Sequence, residues 1–480
     1  MLLRFFPPHL TFVRMDLSTL DYSIVAAYFL ALLGIGFAFS RRKMDDESYL
    51  LASRRLTLPL FVMSLVTTWY GAILGVGEFV FYNGVVAWVV NGLLWYLVYL
   101  LFALFLAKKI HDTQKTTVAD QFLSKVGPKS AKVAAFMGFV MSSPAPYVLS
   151  LGLIFRDFFG ISFNVAILFA LFVSALYIWV GGFKAVIRTD AFQFIFMFLG
   201  FGILTVMTVL HYGGFEFLQA NLPETHLTFQ GELSWQTIVV WGFIAFWTFV
   251  DPSFYQRCYA AKSGEVAKKG VLIAIGFWLI FDMMTLVTGL YAAAAFPPVD
   301  VGMNIDPQMA YFALSDAVLP HGLRGLFLVG ILSIIMSTVD AFLFASSSVI
   351  SVDFLKDRFK SVQMKNLTRV GIVLTLVTCL IFIYFFESVI GIIYALGTVG
   401  VATLLVPMLV ILFGKKRYSD RNMLGVMCLT ALVSSAWLAE GWMNVEFGWP
   451  VYRMGVEPMY IGIAVSLVGL TILYFSQRKA

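Results

Sequence analysis

The sequence predicts an all-α polytopic membrane protein of about 13 transmembrane helices, and three observations carry that prediction. Sixty per cent of the 480 residues are hydrophobic and 12% are charged, about half the charged share of a soluble domain. Apolar runs of about 20 residues recur from end to end, each long enough to cross a hydrocarbon core of about 30 Å. The basic residues gather on alternate connections between those runs.

Helices are the natural form of such runs, because a backbone in lipid must satisfy its polar groups within the segment. A membrane barrel would show short alternating strands, and the sequence has none. The spans fall near residues 21–40, 57–83, 84–107, 131–155, 161–180, 189–211, 235–256, 269–295, 323–352, 367–386, 388–413, 421–440 and 458–476. The run at 21–40 follows Asp16 and Asp21, ends on Arg41-Arg42-Lys43 and lacks a small-residue cleavage site, so it reads as a span and not as a signal peptide. Met15 is a candidate alternative start to Met1.

Of the 33 Lys and Arg residues, all but Arg4, Arg14, Arg156, Arg324 and Arg453 lie on one set of connections. Prominent among them are Lys108-Lys109, Lys184, Lys262, Lys268-Lys269, Lys356 to Lys365, Lys415-Lys416-Arg417 and Arg478-Lys479. The positive-inside rule makes that side cytoplasmic. The expectation is a multi-pass protein of the plasma (inner) membrane with its amino terminus outside and its carboxyl terminus inside. The net charge of +6, distributed in this way, points to a lipid bilayer and not to nucleic acid. Cys258, Cys379 and Cys428 form neither a disulfide framework nor a metal spacing. No nucleotide loop, zinc motif or catalytic triad emerges, so an enzyme is not expected. The connection at 108–130 reads as a polar loop with a short helix, and Met309–Leu319 as a helix lying along the surface.

Two spans look interrupted. The one at 57–83 carries Gly71, Gly75, Gly77 and Glu78, and the one at 235–256 runs into Asp251-Pro252, where proline removes a helix hydrogen bond. Spans two to six and seven to eleven form two sets of five, and an odd number inverts the second set. The chain then divides into 1–56 with the first helix, a repeat at 57–212, an inverted repeat at 235–413, and 421–480 with the last two helices. Broken helices at corresponding positions of two halves point to a transporter's central site. The plainer reading also stands: glycines that let helices pack closely, and an ordinary helix end at Asp251-Pro252.

Two stretches resemble a known family. Gly181-Gly182-Phe183-Lys184-Ala185-Val186-Ile187-Arg188-Thr189-Asp190-Ala191-Phe192-Gln193 is similar to the turn between the fifth and sixth spans of the sodium:solute symporters. Met336-Ser337-Thr338-Val339-Asp340, with Ser346-Ser347-Ser348 and Asp353, resembles their ninth span. Gly75 to Gly84 and Gln256-Arg257 through Lys262 add to the likeness. The resemblance implies a five-plus-five inverted-repeat core of the leucine-transporter type. It further implies sodium as the coupling ion, with no other cofactor, and a small-molecule solute such as proline, pantothenate, another small acid or a sugar.

By that resemblance the core sodium ligands are the hydroxyls of Ser337 and Thr338, with backbone carbonyls of Leu65, Thr68 and Ile334. The competing role for each hydroxyl is a bond to a preceding carbonyl of its own helix. Asp190 opens the sixth span, where relatives use an aspartate and two serines for a second sodium. Here those serine positions read Asp340 and Ala341, so that site in its usual form is not expected. Asp190 and Asp340 are candidates for ion coupling, and Arg188 is a candidate partner of either. Candidate solute contacts near mid-membrane are Trp69, Tyr70, Ala72, Glu78, Pro146, Tyr147, Trp247 and Asp251. Asp282, near the middle of the eighth span, has no evident partner in the sequence. The leading reading is a sodium-coupled symporter importing a small polar organic solute by alternating access. A proton-coupled symporter and a transporter-like solute sensor are the alternatives; the sensor is disfavoured by the short stretch after Ser476.

Overall fold

A computed structural model describes residues 15–38, 45–296, 305–385, 389–414, 418–446 and 449–476. The basic clusters Arg41-Arg42-Lys43, Lys415-Lys416-Arg417 and Arg478-Lys479 lie outside the described residues, as do Met1, Arg4, Arg14 and Pro297-Pro298. Among the described residues, eleven helices are long and apolar enough to cross a membrane, and two shorter apolar helices make up a broken span. In chain order these are α1 (Thr19–Ala38), the short pair α2 (Leu58–Thr67) and α3 (Ile73–Asn83), α4 (Val86–Asp112), α5 (Pro128–Phe159) and α6 (Phe163–Tyr212). They continue as α7 (Trp235–Ala260), α8 (Gly264–Ala295), α9 (Leu323–Leu355), α10 (Met364–Phe385), α11 (Val389–Phe413), α12 (Asp420–Met443) and α13 (Pro458–Ser476). One pair of two-residue strands, Val445–Glu446 with Trp449–Pro450, is the sole sheet among them.

Local chemistry sets the ends and the breaks. Ser234, Ser263 and Ser419 cap α7, α8 and α12 by accepting from backbone amides of the first turn. The chain leaves helical geometry between Thr67 and Ile73, where the Trp69 amide turns back to Val66 O at 3.4 Å. The second break separates Trp235–Ala245 from Pro252–Ala260, with a tight turn at Phe246–Phe249 between them. Both interruptions expected from the sequence are present. Spans 161–180 and 189–211 are joined more directly than expected. Most of the predicted turn is helical, and α6 is broken at Gly182 alone, whose φ is 59°.

Helix α9 is the hub. From Phe327 to Ile350 every residue is buried, and it packs against α6, α1, α5 and α10. The short helix in the 108–130 loop is present as Val118–Lys125, with a capping box between Thr117 and Asp120. Ala310–Val318 is helical as expected but does not lie along the surface. Tyr311 and Phe312 are fully buried, and the Tyr311 hydroxyl donates to Thr285 O at 3.0 Å.

The connections sort onto two ends of the bundle. At one end, Leu56 forms an isolated bridge with the residues that follow α7 (Leu56 N to Ala260 O and Lys262 N to Leu56 O, both 2.9 Å), so the start of α2 is tied to the end of α7. Arg54 donates to Tyr259 O at 3.1 Å and Gln114 O at 3.2 Å, Lys108 pairs with Glu265 at 3.0 Å, and Lys132 donates to Asp353 O. At the other end, Val85 N donates to His226 O at 2.8 Å and Arg324 pairs with Asp316 at 2.8 Å. The described basic connections of the sequence therefore share one end.

Candidate functional site

The break after α2 is pressed against the middle of α9. A Cβ added at Gly71 would stand 2.5 Å from the Tyr147 ring and 2.6 Å from Thr338 Cβ, closer than carbon atoms approach, so only glycine admits this contact. Thr338 Oγ1 lies 3.4 Å from Thr67 O and 3.1 Å from Ile334 O. Ser337 Oγ does not bond its own helix; it donates to Asp190 Oδ1 of α6 at 2.7 Å. A hydroxyl whose proton is held by a carboxylate or a carbonyl keeps lone pairs available as acceptors or ligands. The structure thus gathers Ser337, Thr338 and Ile334 of α9 at the end of α2, where Leu65 lies in the last turn and Thr68 is the residue after it.

The charges beside this niche differ from those the sequence suggested. Asp190 is fully buried, and its partner is Arg257 of α7, not Arg188. The Arg257 guanidinium donates to Ser64 Oγ at 3.0 Å, Ser253 O at 3.2 Å, Asp190 Oδ2 at 3.4 Å and Thr68 Oγ1. Ser64 in turn donates to Asp190 Oδ2 at 2.5 Å. Arg188 is exposed. Asp340 accepts from the Tyr177 hydroxyl instead of from Arg188. Both proposed Arg188 pairs are therefore corrected: residues two apart on a helix, such as Arg188 and Asp190, point to different sides.

On the other side of the break is a chamber of about 120 Å³. Trp69, Tyr70, Ala72, Tyr147 and Trp247 line it, as the sequence reading had them. Glu78, Pro146 and Asp251 do not. Asp251 is a helix cap, accepting from Ser253 N at 2.6 Å and Phe254 N at 3.0 Å, which is the plain reading of Asp-Pro. Glu78 faces Asp306 and Gln308 of the segment before Ala310–Val318, where burial pushes the Asp306 carboxyl above its usual range. Asp282 of α8 does line the chamber, and its partners are now evident. Tyr70 donates to Oδ1 at 2.6 Å, Tyr96 of α4 donates to Oδ2, and Trp88 Nε1 donates to the Tyr96 oxygen at 3.3 Å. Helix α4 widens into a π-type turn at Val89–Leu93 as it passes this group, a distortion frequent at functional sites.

Comparison with known proteins identifies the family. A model of the sodium:solute symporter family matches residues 49–427. The chain belongs to that family. Sodium-coupled symport of a solute is accordingly its activity. The sodium/pantothenate symporter of Haemophilus influenzae is 28% identical over 371 residues, 72% of this chain and 74% of that protein. A sodium/proline symporter of Staphylococcus aureus is 24% identical over 363 residues, covering 72% of this chain and 70% of its own length. Among solved structures, a Na+-coupled sialic acid symporter in a substrate-bound outward-open state superposes with a TM-score of 0.78. It is 17% identical, covers 95% of this chain and 98% of its own, and so speaks to the fold. A nucleobase–cation symport transporter with bound bromovinylhydantoin shares the architecture more distantly, with a TM-score of 0.51, 14% identity and coverage of 90% and 96% of the two chains. This family member is therefore a multi-pass membrane symporter of the leucine-transporter fold.

Proposed function

We propose that the chain imports a small polar organic solute with sodium, by alternating access around the two helix breaks. The observation that carries this reading is the approach of Gly71 to Thr338. It sets the free backbone of a broken helix beside two hydroxyls, Ser337 donating to Asp190 and Thr338 within reach of the Ile334 and Thr67 carbonyls. Neutral oxygen ligands suit sodium, and broken helices supply them in transporters of this architecture. In this reading Ser337, Thr338 and the carbonyls of Leu65, Thr68 and Ile334 hold sodium, while the aromatic chamber holds the solute. Asp190 and Asp340 act in coupling the ion to the movement. Residues 57–212 and 235–413 are the two repeats that rock around the site. Coupling follows when sodium and solute stabilise the same state of the two repeats. Counting α2 with α3 as one crossing and the arms of α6 as two gives thirteen crossings. The family and its neighbours are transporters, and transport of this kind makes and breaks no covalent bond.

The test is uptake by proteoliposomes holding the purified chain, with a panel of amines, amino acids, carboxylates and sugars. An inward sodium gradient should drive accumulation of at least one solute, and collapsing that gradient should abolish it. Accumulation driven by a proton gradient in sodium-free medium would overturn the sodium assignment.

The orientation is proposed on the same footing. The described basic connections share one end of the bundle, and the charge bias makes that end cytoplasmic in the plasma (inner) membrane. A cysteine introduced at residues 220–230 should react with an impermeant thiol reagent from outside intact cells, and a reporter fused after Lys479 should read as cytoplasmic. Both tags on the same side would refute the odd number of crossings.

A further inference from the structure

We propose that the solute is a small organic cation, an amine or alkylated ammonium, whose positive head is held by Asp282 within the aromatic chamber. The inference rests on the reading of that chamber as the solute site, and it adds the chemical class. Nine of the twenty lining residues are aromatic, five of them tryptophan. Asp282 is the lone carboxylate among the described lining residues, and none of them is Lys, Arg or His. Across the break Asp190 and Arg257 pair with each other, so neither neutralises Asp282. A carboxylate in an apolar, membrane-embedded chamber calls for a counter-charge, and here the solute supplies it.

The surroundings of Asp282 are built for exposure to the chamber. A carboxylate has about four lone-pair sites; the hydroxyls of Tyr70 and Tyr96 take two and fix its orientation, leaving acceptor capacity for a solute. A Cβ at Gly92 would come within 2.9 Å of Asp282 Oδ2 and 2.7 Å of the Trp88 ring, so a side chain at position 92 would displace one of them. Aromatic rings attract an onium group that lies over their faces, most strongly where water is excluded, and this wall is rich in them. Trp95 Nε1 and Trp247 Nε1 are buried and have no acceptor among the described residues. A rotation of either ring that turned its N–H into the chamber would offer a donor to a hydroxyl or carbonyl oxygen of the same solute. A solute of net negative charge, such as pantothenate, would meet the Asp282 carboxylate with no cation in the wall to offset it.

The experiment uses the full chain in lipid nanodiscs with saturating sodium, read by tryptophan fluorescence and by thermal shift. Choline is titrated against 3,3-dimethyl-1-butanol, which has the same shape and hydroxyl without the charge. Tetramethylammonium, ethanolamine, glycine betaine, proline and pantothenate complete the set. Choline is expected to bind at least about tenfold tighter than its uncharged counterpart. In Asp282→Asn choline should weaken by at least about tenfold while the alcohol is unchanged, and Asp282→Glu should recover part of the loss. The comparison of the two isosteres in the parent protein decides the matter even if Asp282→Asn fails to fold. Equal binding of choline and the alcohol would overturn the proposal. So would tighter binding of betaine, proline or pantothenate, or no binding of any of the three cations up to about 10 mM. Sodium-driven uptake of a carboxylate with no cation bound would remove the cation inference and leave the symport reading intact. Tight choline binding indifferent to sodium would do the reverse.

Discussion

Asp190→Asn is expected to destabilise the protein by about 3–5 kcal/mol, because it leaves the Arg257 guanidinium buried without its counter-charge. Arg257 is fully buried, and Asp190 is the carboxylate within salt-bridge reach of it among the described residues. Its remaining contacts, to Ser64, Thr68 and the Ser253 carbonyl, are neutral. Arg257→Gln should cost a similar amount by stranding Asp190, whereas the double variant should be nearly as stable as the parent, since removing both members of a buried pair is often close to neutral. Thermal unfolding of the four proteins completes a double-mutant cycle, and a coupling energy below about 0.5 kcal/mol would show that the pair is not a unit. The same variants report on the niche. Asp190 contributes negative charge beside Ser337 and Arg257 contributes positive charge beside Thr68, so their removal should move sodium affinity in opposite directions. Half-saturating sodium should rise in Asp190→Asn and fall in Arg257→Gln. Shifts of the same sign would mean that both act only through folding.

The resemblance at Gly181–Gln193 led to Asp190 but not to Arg257. The reason is geometric: Asp190 and Arg257 are 67 residues apart, and nothing in the helical period of α6 or α7 shows which faces meet. Arg257 stood at the edge of a span, where a basic residue ordinarily reads as a cytoplasmic anchor. Asp282 posed the same difficulty. Its place near the middle of a span was evident, but its partners Tyr70 and Tyr96 lie 212 and 186 residues away. The breaks were legible because their causes are local: glycines at 71, 75 and 77, and Asp251-Pro252. Asp251 itself was legible as a helix end; it accepts from two backbone amides and is not among the residues that line the chamber. Gly71 was noticed as a helix breaker, whereas its closer duty, admitting Thr338 and Tyr147, needs the third dimension.

Ser337→Ala combined with Thr338→Val is expected to raise half-saturating sodium by roughly ten- to a hundredfold for each ligand lost, on about 1.5–3 kcal/mol per contact to a charged group. The two hydroxyls start from different positions. Thr338 Oγ1 already lies 3.1 Å from Ile334 O of its own helix, so Thr338→Val alone should cost little stability. Ser337 Oγ reaches across to Asp190, so Ser337→Ala also removes one of the donors that hold that carboxylate and should show a small loss of stability, about 1 kcal/mol. The two effects separate by titration, because a lost ligand is restored by saturating sodium whereas a lost structural bond is not. Linkage is reciprocal, so solute affinity in the double variant should weaken at low sodium and recover at high sodium. Ser348→Ala is the control. Ser348 is buried on the same helix and its hydroxyl donates to Phe344 O at 2.8 Å, about three turns from the niche. It should keep the parental sodium dependence. A double variant of Ser337 and Thr338 that also keeps it would show that sodium is held elsewhere, and the niche beside Gly71 would then be a packing contact between a broken helix and α9.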